Sequence, residues 1–167
     1  MNTNRKTNLP FGLRTATGAD EEFLYRLYCT TREDELNAAG FPPEQHGAFL
    51  RMQFNAQKTH YEKYYPAAEH KIITVENKPV GRQYVDRGEG EILLVDLALL
   101  PEFCNRGIGT ILLKKLCSES EQTAKPLRLY AIKFNESALR FYKRLGFVEI
   151  DDTGVYLFLE WSLQSGQ

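Results

Sequence analysis

Residues Cys104–Leu113 read Cys-Asn-Arg-Gly-Ile-Gly-Thr-Ile-Leu-Leu. They follow the aliphatic run Ile92–Leu100, which Asp96 interrupts and Pro101 closes. The residues beyond, Ile111–Leu116, repeat apolar side chains at helical spacing. A strand that passes through a tight turn into a helix start aims several backbone N–H groups at one point. The helix dipole adds positive potential there. Gly107 and Gly109 carry no Cβ, so a ligand can approach the main chain closely. The chemistry that suits this segment is the holding of a phosphate.

Two common phosphate loops do not fit. A dinucleotide turn needs Gly-x-Gly-x-x-Gly, and here Leu112 stands where the third glycine belongs. A Walker loop needs a Gly-Lys-Ser/Thr ending, which is absent. A tight turn that starts a helix and holds no ligand explains the glycines equally well.

The elements that must position this turn follow from periodicity and punctuation. Leu13–Thr15 reads as a strand, and Thr17–Asp20 offers cap residues for a helix striped with Phe23, Leu24, Leu27 and Tyr28. Asn37–Pro43 breaks that helix. Glu44–Tyr65 forms a second, striped by Leu50, Phe54 and Tyr61 and ended by Pro66. Strands are expected at Ile72–Glu76, Val80–Val85 and Glu91–Leu100, joined by turns at Asn77–Pro79 and Arg87–Gly90. The helix after the glycine turn runs to about Thr123. Leu127–Ile132 is a strand, Asn135–Leu145 a helix stopped by Gly146, and Phe147–Ile150 pairs with Val155–Trp161 as a hairpin. The order β-α-α-β-β-β-α-β-α-β-β mixes hairpins with crossovers, which implies an α/β chain with one mixed sheet covered by helices.

The segment Asn135–Phe147 brings the second motif. With the glycine turn it resembles the GNAT N-acyltransferase superfamily, whose acetyl-CoA loop reads (Gln/Arg)-x-x-Gly-x-(Gly/Ala). The later segment of that family reads Asn-x-x-Ala-x-x-x-Tyr-x-x-x-Gly-Phe. Asn135, Ala138, Tyr142, Gly146 and Phe147 fill the second pattern, and Gly107 and Gly109 match the first. The element order agrees with the family fold over Leu13–Trp161. The run Arg51–Gln57 is similar to one in an uncharacterised bacterial group of the same superfamily and names no substrate.

The resemblance implies a role for each matching position. The turn formed by Cys104, Asn105, Arg106, Gly107, Ile108, Gly109 and Thr110 would hold the CoA pyrophosphate through its amides. Leu97 and Leu99 would pair through their backbone with the pantetheine arm, as an added strand does. Asn135 would hydrogen-bond the pantetheine or the adenine side, and Tyr142 would sit beside the thioester sulfur. Asn135 and Tyr142 are two helical turns apart, which would put them on one face. One position departs from the pattern: Cys104 stands where Gln or Arg is usual. A charged phosphate contact is worth roughly 1.5–3 kcal/mol, so its loss weakens binding, and Arg106 lies two residues away to compensate. Cys104 as a reactive thiol at a helix start is the alternative to a tolerated small residue.

The implied activity is an N-acetyltransferase moving an acetyl group from acetyl-CoA to a primary amine by direct attack in a ternary complex. The alternative is a non-catalytic CoA-binding sensor or interaction module on the same fold. A thioester is already activated, so alignment of a neutral amine is the main task. Leu99 N–H would serve the developing oxyanion. An ordinary tyrosine, with a pKa of about 10 against about 8.5 for a thiol, gives up its proton to a thiolate uphill by roughly 2 kcal/mol. Tyr142 therefore has an altered environment or acts as a hydrogen-bond donor. The base that takes the amine proton is open among Asp96, Glu91, Glu33, Glu35 and His60; Asp96 stands out because it is a charge inside an aliphatic strand. A carboxylate bonded to a neighbouring helix or facing solvent explains Asp96 at least as well.

Composition bounds the rest. With 167 residues, 43% hydrophobic and 26% charged, the chain has the size and make-up of one globular domain. That domain is expected over residues 9–163, after a polar tail at 1–8. A net charge of −1 argues against bulk binding of nucleic acid. No apolar run is long enough to span a bilayer, and the N-terminal residues fit no signal peptide. Cys29, Cys104 and Cys117 match no metal or redox spacing, which points to a reducing cytoplasm and no metal. The acceptor is expected to be a small-molecule or peptide amine, and an exposed strand edge with the closing hairpin admits a homodimer.

Overall fold

The computed structural model describes residues 9–162. The expected tail, Met1–Asn8, and the expected domain end at 163 lie outside the described residues. The elements are β1 (Gly12–Thr15), α1 (Glu21–Ala38), α2 (Pro43–Tyr64), β2 (Glu69–Val75), β3 (Lys78–Arg87) and β4 (Ile92–Leu99). They continue with α3 (Ile108–Thr123), β5 (Leu127–Ile132), α4 (Glu136–Arg144), β6 (Val148–Asp152) and β7 (Tyr156–Trp161). This is the order expected from the sequence. Among the described residues no helix is long and apolar enough to cross a membrane.

Local chemistry sets the boundaries. Gly40 (φ 72°) lies just past α1, and Pro43 opens α2 where its missing N–H costs nothing. Glu76 and Asn77 both take positive φ, 52° and 64°, which makes a tight hairpin turn and starts β3 at Lys78. That is two residues before the expected start at Val80. The seven strands are ordered β1-β2-β3-β4-β5-β7-β6. β7 thus lies between β5 and β6 and pairs antiparallel with each.

The chain forms two compact units. One comprises 10–83 and 97–104. Its core gathers Phe23 and Leu27 of α1, Ile72 of β2 and Leu100, with Ala98 and Phe103 packed against them. A second cluster, Tyr28, Leu50 and Phe54, joins α1 to α2. Arg14 closes the start of this unit with two bonds to Asp20, at 2.7 and 2.9 Å, while Asp20 accepts from Thr17 N–H at 2.8 Å.

The other unit comprises Leu9, 84–96 and the described residues from 105 onward. Here α3 packs on β5. The apolar stripe of α3 (Leu112, Leu113, Leu116) and the alternate residues Leu127, Leu129, Leu157 and Leu159 are buried. Each such leucine contributes roughly 1.5–3 kcal/mol of burial.

Candidate active site

The glycine turn forms as the residue types require. Asn105 takes φ 60° and Gly107 φ 88°, and α3 begins at Ile108. Asparagine tolerates the left-handed region and glycine takes it without strain. The start of α3 has no side-chain cap and no acidic residue in its first turn. The earliest amide bonded back is Ile111 N–H, to Gly107 O at 3.0 Å. The N–H groups of Ile108, Gly109 and Thr110 are thus the terminal donors of the helix, with no acidic residue in the first turn to oppose an anion. A Cβ built on Gly109 would meet Phe141 Cζ of α4 at an ordinary 3.4 Å. The protein itself therefore leaves room there. These observations fit the pyrophosphate of a CoA thioester.

Strand β4 pairs with β5 only over its first residues. Its parallel pairing with β5 covers Ile92, Leu93 and Leu94 against Leu127, Arg128 and Leu129, although β4 runs on to Leu99. On the other edge, Leu100 N–H donates to Val80 O at 2.8 Å. Successive amides of a strand point to opposite edges, so the N–H groups of Leu99 and Leu97 point away from β3. Gly81 on β3 makes this end of β4 possible: a Cβ there would collide with Ala98 O and lie 2.8 Å from Leu99 Cδ2. Sequence reasoning passed over Gly81, because only the neighbouring strand reveals the crowding.

Helix α4 holds the second motif, and each motif residue has a local cause. Asn135 is its N-cap, with Oδ1 accepting from Ala138 N–H at 3.2 Å. It therefore lies just outside the helix, and its amide NH₂ is left for other work. At the far end Gly146 takes φ 103° and Phe147 N–H donates back to Tyr142 O at 3.1 Å. The Phe147 ring meets the Tyr142 ring edge-on, centroids 5.7 Å apart. This pairing of a left-handed glycine with an apolar residue is a helix C-cap. It fixes where Tyr142 points.

Tyr142 is half-buried, and its phenol is pushed well above the usual tyrosine range, first by burial and then by the negative charge of Asp96. A weaker acid does not hand its proton to an ordinary thiolate. It does remain a hydrogen-bond donor at any working pH. The same burial and charge also raise the basicity of a thiolate placed beside it, which keeps that hydrogen bond matched.

The other candidates sort themselves by partner. Glu91 bonds Arg128 at 2.9 Å, and Glu35 bonds Arg32 at 3.3 Å. Glu33 is exposed on α1. His60 lies among tyrosines, 4.5 Å from the Tyr64 ring centroid. Asp96 alone of the five has a charge that registers on Tyr142. Cys104 is exposed, yet its sulfur tucks against Leu100 O at 3.6 Å, and burial, followed by Glu102, raises its pKa. That environment opposes the reactive thiolate considered above.

The family model described as an acetyltransferase (GNAT) domain matches residues 66–149, half of the chain. The match takes in the glycine turn and the Asn135–Phe147 segment and leaves out α1 and α2. The fold is similar to that of the PaiA N-acetyltransferase from Thermoplasma acidophilum in complex with coenzyme A. That structure has a TM-score of 0.71 at 18% identity, over 91% of this chain and 98% of that one. A GNAT family acetyltransferase from Elizabethkingia anophelis with acetyl-CoA bound gives 0.61 at 16% identity, over 94% and 99%. The ribosomal-protein-S18-alanine N-acetyltransferase from Escherichia coli gives 0.61 at 17% identity, over 95% and 99%. At these identities the likeness is one of fold. No curated protein sequence matches the chain. Taken with the matched domain, the cradle at Gly107 and the capped helix that carries Tyr142, this means that the chain belongs to the GNAT family of acetyltransferases, enzymes whose acetyl donor is acetyl-CoA.

Proposed function

We propose that the chain acetylates a primary amine by direct attack in a ternary complex, with Tyr142 serving the departing sulfur and Asp96 the amine proton. What supports this reading is the uncapped start of α3 behind Gly107 together with the capped helix α4 that carries Asn135 and Tyr142, with the Asp96 charge acting on the Tyr142 phenol. The two roles call for one hydrogen-bond donor and one carboxylate within electrostatic reach of each other.

The thioester, when bound, supplies an acyl carbon already activated toward an amine. Ile108, Gly109 and Thr110 N–H would hold the pyrophosphate, with Asn105 and Arg106 flanking it. Leu97 and the NH₂ of Asn135 would hold the pantetheine arm. Leu99 N–H donates to the carbonyl oxygen as charge gathers on it. Asp96 accepts the proton that the amine loses as the C–N bond forms, directly or through one water. Tyr142 keeps its own proton and donates a hydrogen bond to the sulfur as the C–S bond breaks. The raised pKa of Cys104 opposes a covalent acetyl-cysteine route.

Thiol release from acetyl-CoA in the presence of a panel of amines tests the reading. Intersecting initial-rate lines are expected. Parallel lines would reject the ternary complex, and CoA binding without turnover across the panel would favour a sensor or interaction module instead.

A further inference from the structure

The amide of Leu9 donates to Arg106 O at 3.4 Å. Leu9 belongs to the same compact unit as residues 105–110. The chain therefore enters its described part against the turn that carries the terminal N–H donors of α3. The residues that lead up to Leu9 read Met-Asn-Thr-Asn-Arg-Lys-Thr-Asn and lie outside the described residues. They hold two cations, Arg5 and Lys6. The first acidic residue of the chain is Asp20, which Arg14 already engages at 2.7 Å. Arg5 and Lys6 stand four and three residues before Leu9. At about 3.3–3.6 Å per extended residue, their Cα atoms stay within about 15 Å of it. So short a tether holds a group at an effective concentration in the millimolar range.

The glycine turn has use for such charge. Cys104 stands where the family pattern has Gln or Arg, and the negative charge of Glu102 acts on Cys104. From Pro101 to Thr110 the sequence has one cationic side chain, Arg106. CoA brings a pyrophosphate and a 3′-phosphate, more negative charge than one arginine matches. Two cations are too few to hold a nucleic acid or an anionic membrane, where many contacts must add up. They suffice for a small polyanion already seated on backbone amides.

We propose that Arg5 and Lys6 bind the phosphate groups of CoA, brought to the glycine turn by the bond between Leu9 and Arg106. This assignment rests on the turn being the CoA site. It makes the segment before β1 part of that site and the source of the charge that Cys104 does not supply.

Titration calorimetry of the full chain with CoA tests this. Arg5→Gln/Lys6→Gln should weaken binding about three- to tenfold at low salt. The loss should shrink as added salt screens exposed charges. Arg5→Lys/Lys6→Arg, which keeps both charges, should bind as the wild type does. So should Lys63→Gln/Lys78→Gln, which removes two exposed cations elsewhere and changes the net charge equally. Tm without ligand should be unchanged in all of these. Repeating the titrations with dephospho-CoA separates the two phosphate sources: a loss that persists assigns the pair to the pyrophosphate, and one that disappears assigns it to the 3′-phosphate. Wild-type affinity for CoA in Arg5→Gln/Lys6→Gln, or an equal loss in Lys63→Gln/Lys78→Gln, would overturn the role of Arg5 and Lys6 while Gly109→Ala still weakens binding. Affinity indifferent to Gly109→Ala would overturn the turn as the CoA site, and this assignment with it.

Discussion

Gly109 on α3 faces Phe141 on α4, and a methyl group added to the glycine would touch Phe141 Cζ at 3.4 Å, an ordinary contact distance. Gly107, two residues earlier, is held at φ 88°, where any side chain is strained. The two glycines of one motif are thus required for different reasons. Gly109→Ala should fold as well as the wild type, helped by the better helix propensity of alanine, yet bind CoA less tightly because the methyl enters the cradle. Gly107→Ala should lose roughly 1–2 kcal/mol of stability. Thermal unfolding and calorimetry separate the two; equal loss of stability in both variants would contradict the distinction.

Cys104 can be tested in the direction of its family. Cys104→Arg places a cation beside the turn and should tighten CoA binding by about tenfold or less. Titration calorimetry measures this, and unchanged affinity would show that Arg106 or the amides already suffice.

Tyr142→Phe removes the donor and leaves the ring packed on Phe147. We expect kcat to fall about 10²–10³-fold with KM for acetyl-CoA little changed. Because burial and Asp96 raise the phenol pKa, Tyr142 stays protonated through the alkaline range, and no fall in kcat should be traceable to its ionisation. In Asp96→Asn the phenol titrates lower, toward its ordinary value, and the tyrosinate absorbance that Tyr142→Phe abolishes should appear at lower pH. An unchanged titration would remove Asp96 from the vicinity of the phenol.

Acid stability should report the Arg14–Asp20 pair. The Arg14 guanidinium, opposed by burial and aided by Thr17 N–H, holds the Asp20 carboxyl down at about 2. The folded value lies below the unfolded one, so the stabilisation is full above the ordinary carboxylate range. It is lost as pH falls from there toward about 2. Arg14 is partly exposed, which limits the effect to about 1–2 kcal/mol. The drop in Tm over that interval should be smaller in Asp20→Asn than in the wild type; an equal drop would assign acid sensitivity elsewhere.

Much of this was legible in the chain, for physical reasons that differ by residue. Gly40, Pro43 and Gly146 mark helix ends because few residues fit those backbone geometries, and the element order followed from them. Asn135 could have been recognised as a cap, since an asparagine before a short amphipathic stretch is a helix start signal; its place in a motif made it look like part of the helix. Glu91 reads as a candidate base in the sequence, and only the fold brings Arg128, far away in the chain, into a bond with it. The need for glycine at position 81 was illegible, because the atoms that crowd it belong to Ala98 and Leu99. The strand order was equally hidden: alternation tells which face a residue takes, and says nothing about which strand lies next to it.

That strand order has a consequence for how the chain is made. β5 finds its antiparallel partner in β7 and not in β6, which emerges from the ribosome first. Until Trp161 has been synthesised, β5 and β6 have no shared neighbour, and the buried row Leu127, Leu129 and Ala131 lacks Leu157 and Leu159 across from it. Nascent chains stalled with β7 still inside the ribosome should therefore expose an adhesive strand edge and recruit chaperones, whereas those extended by a linker that carries β7 clear of the exit tunnel should resist proteolysis.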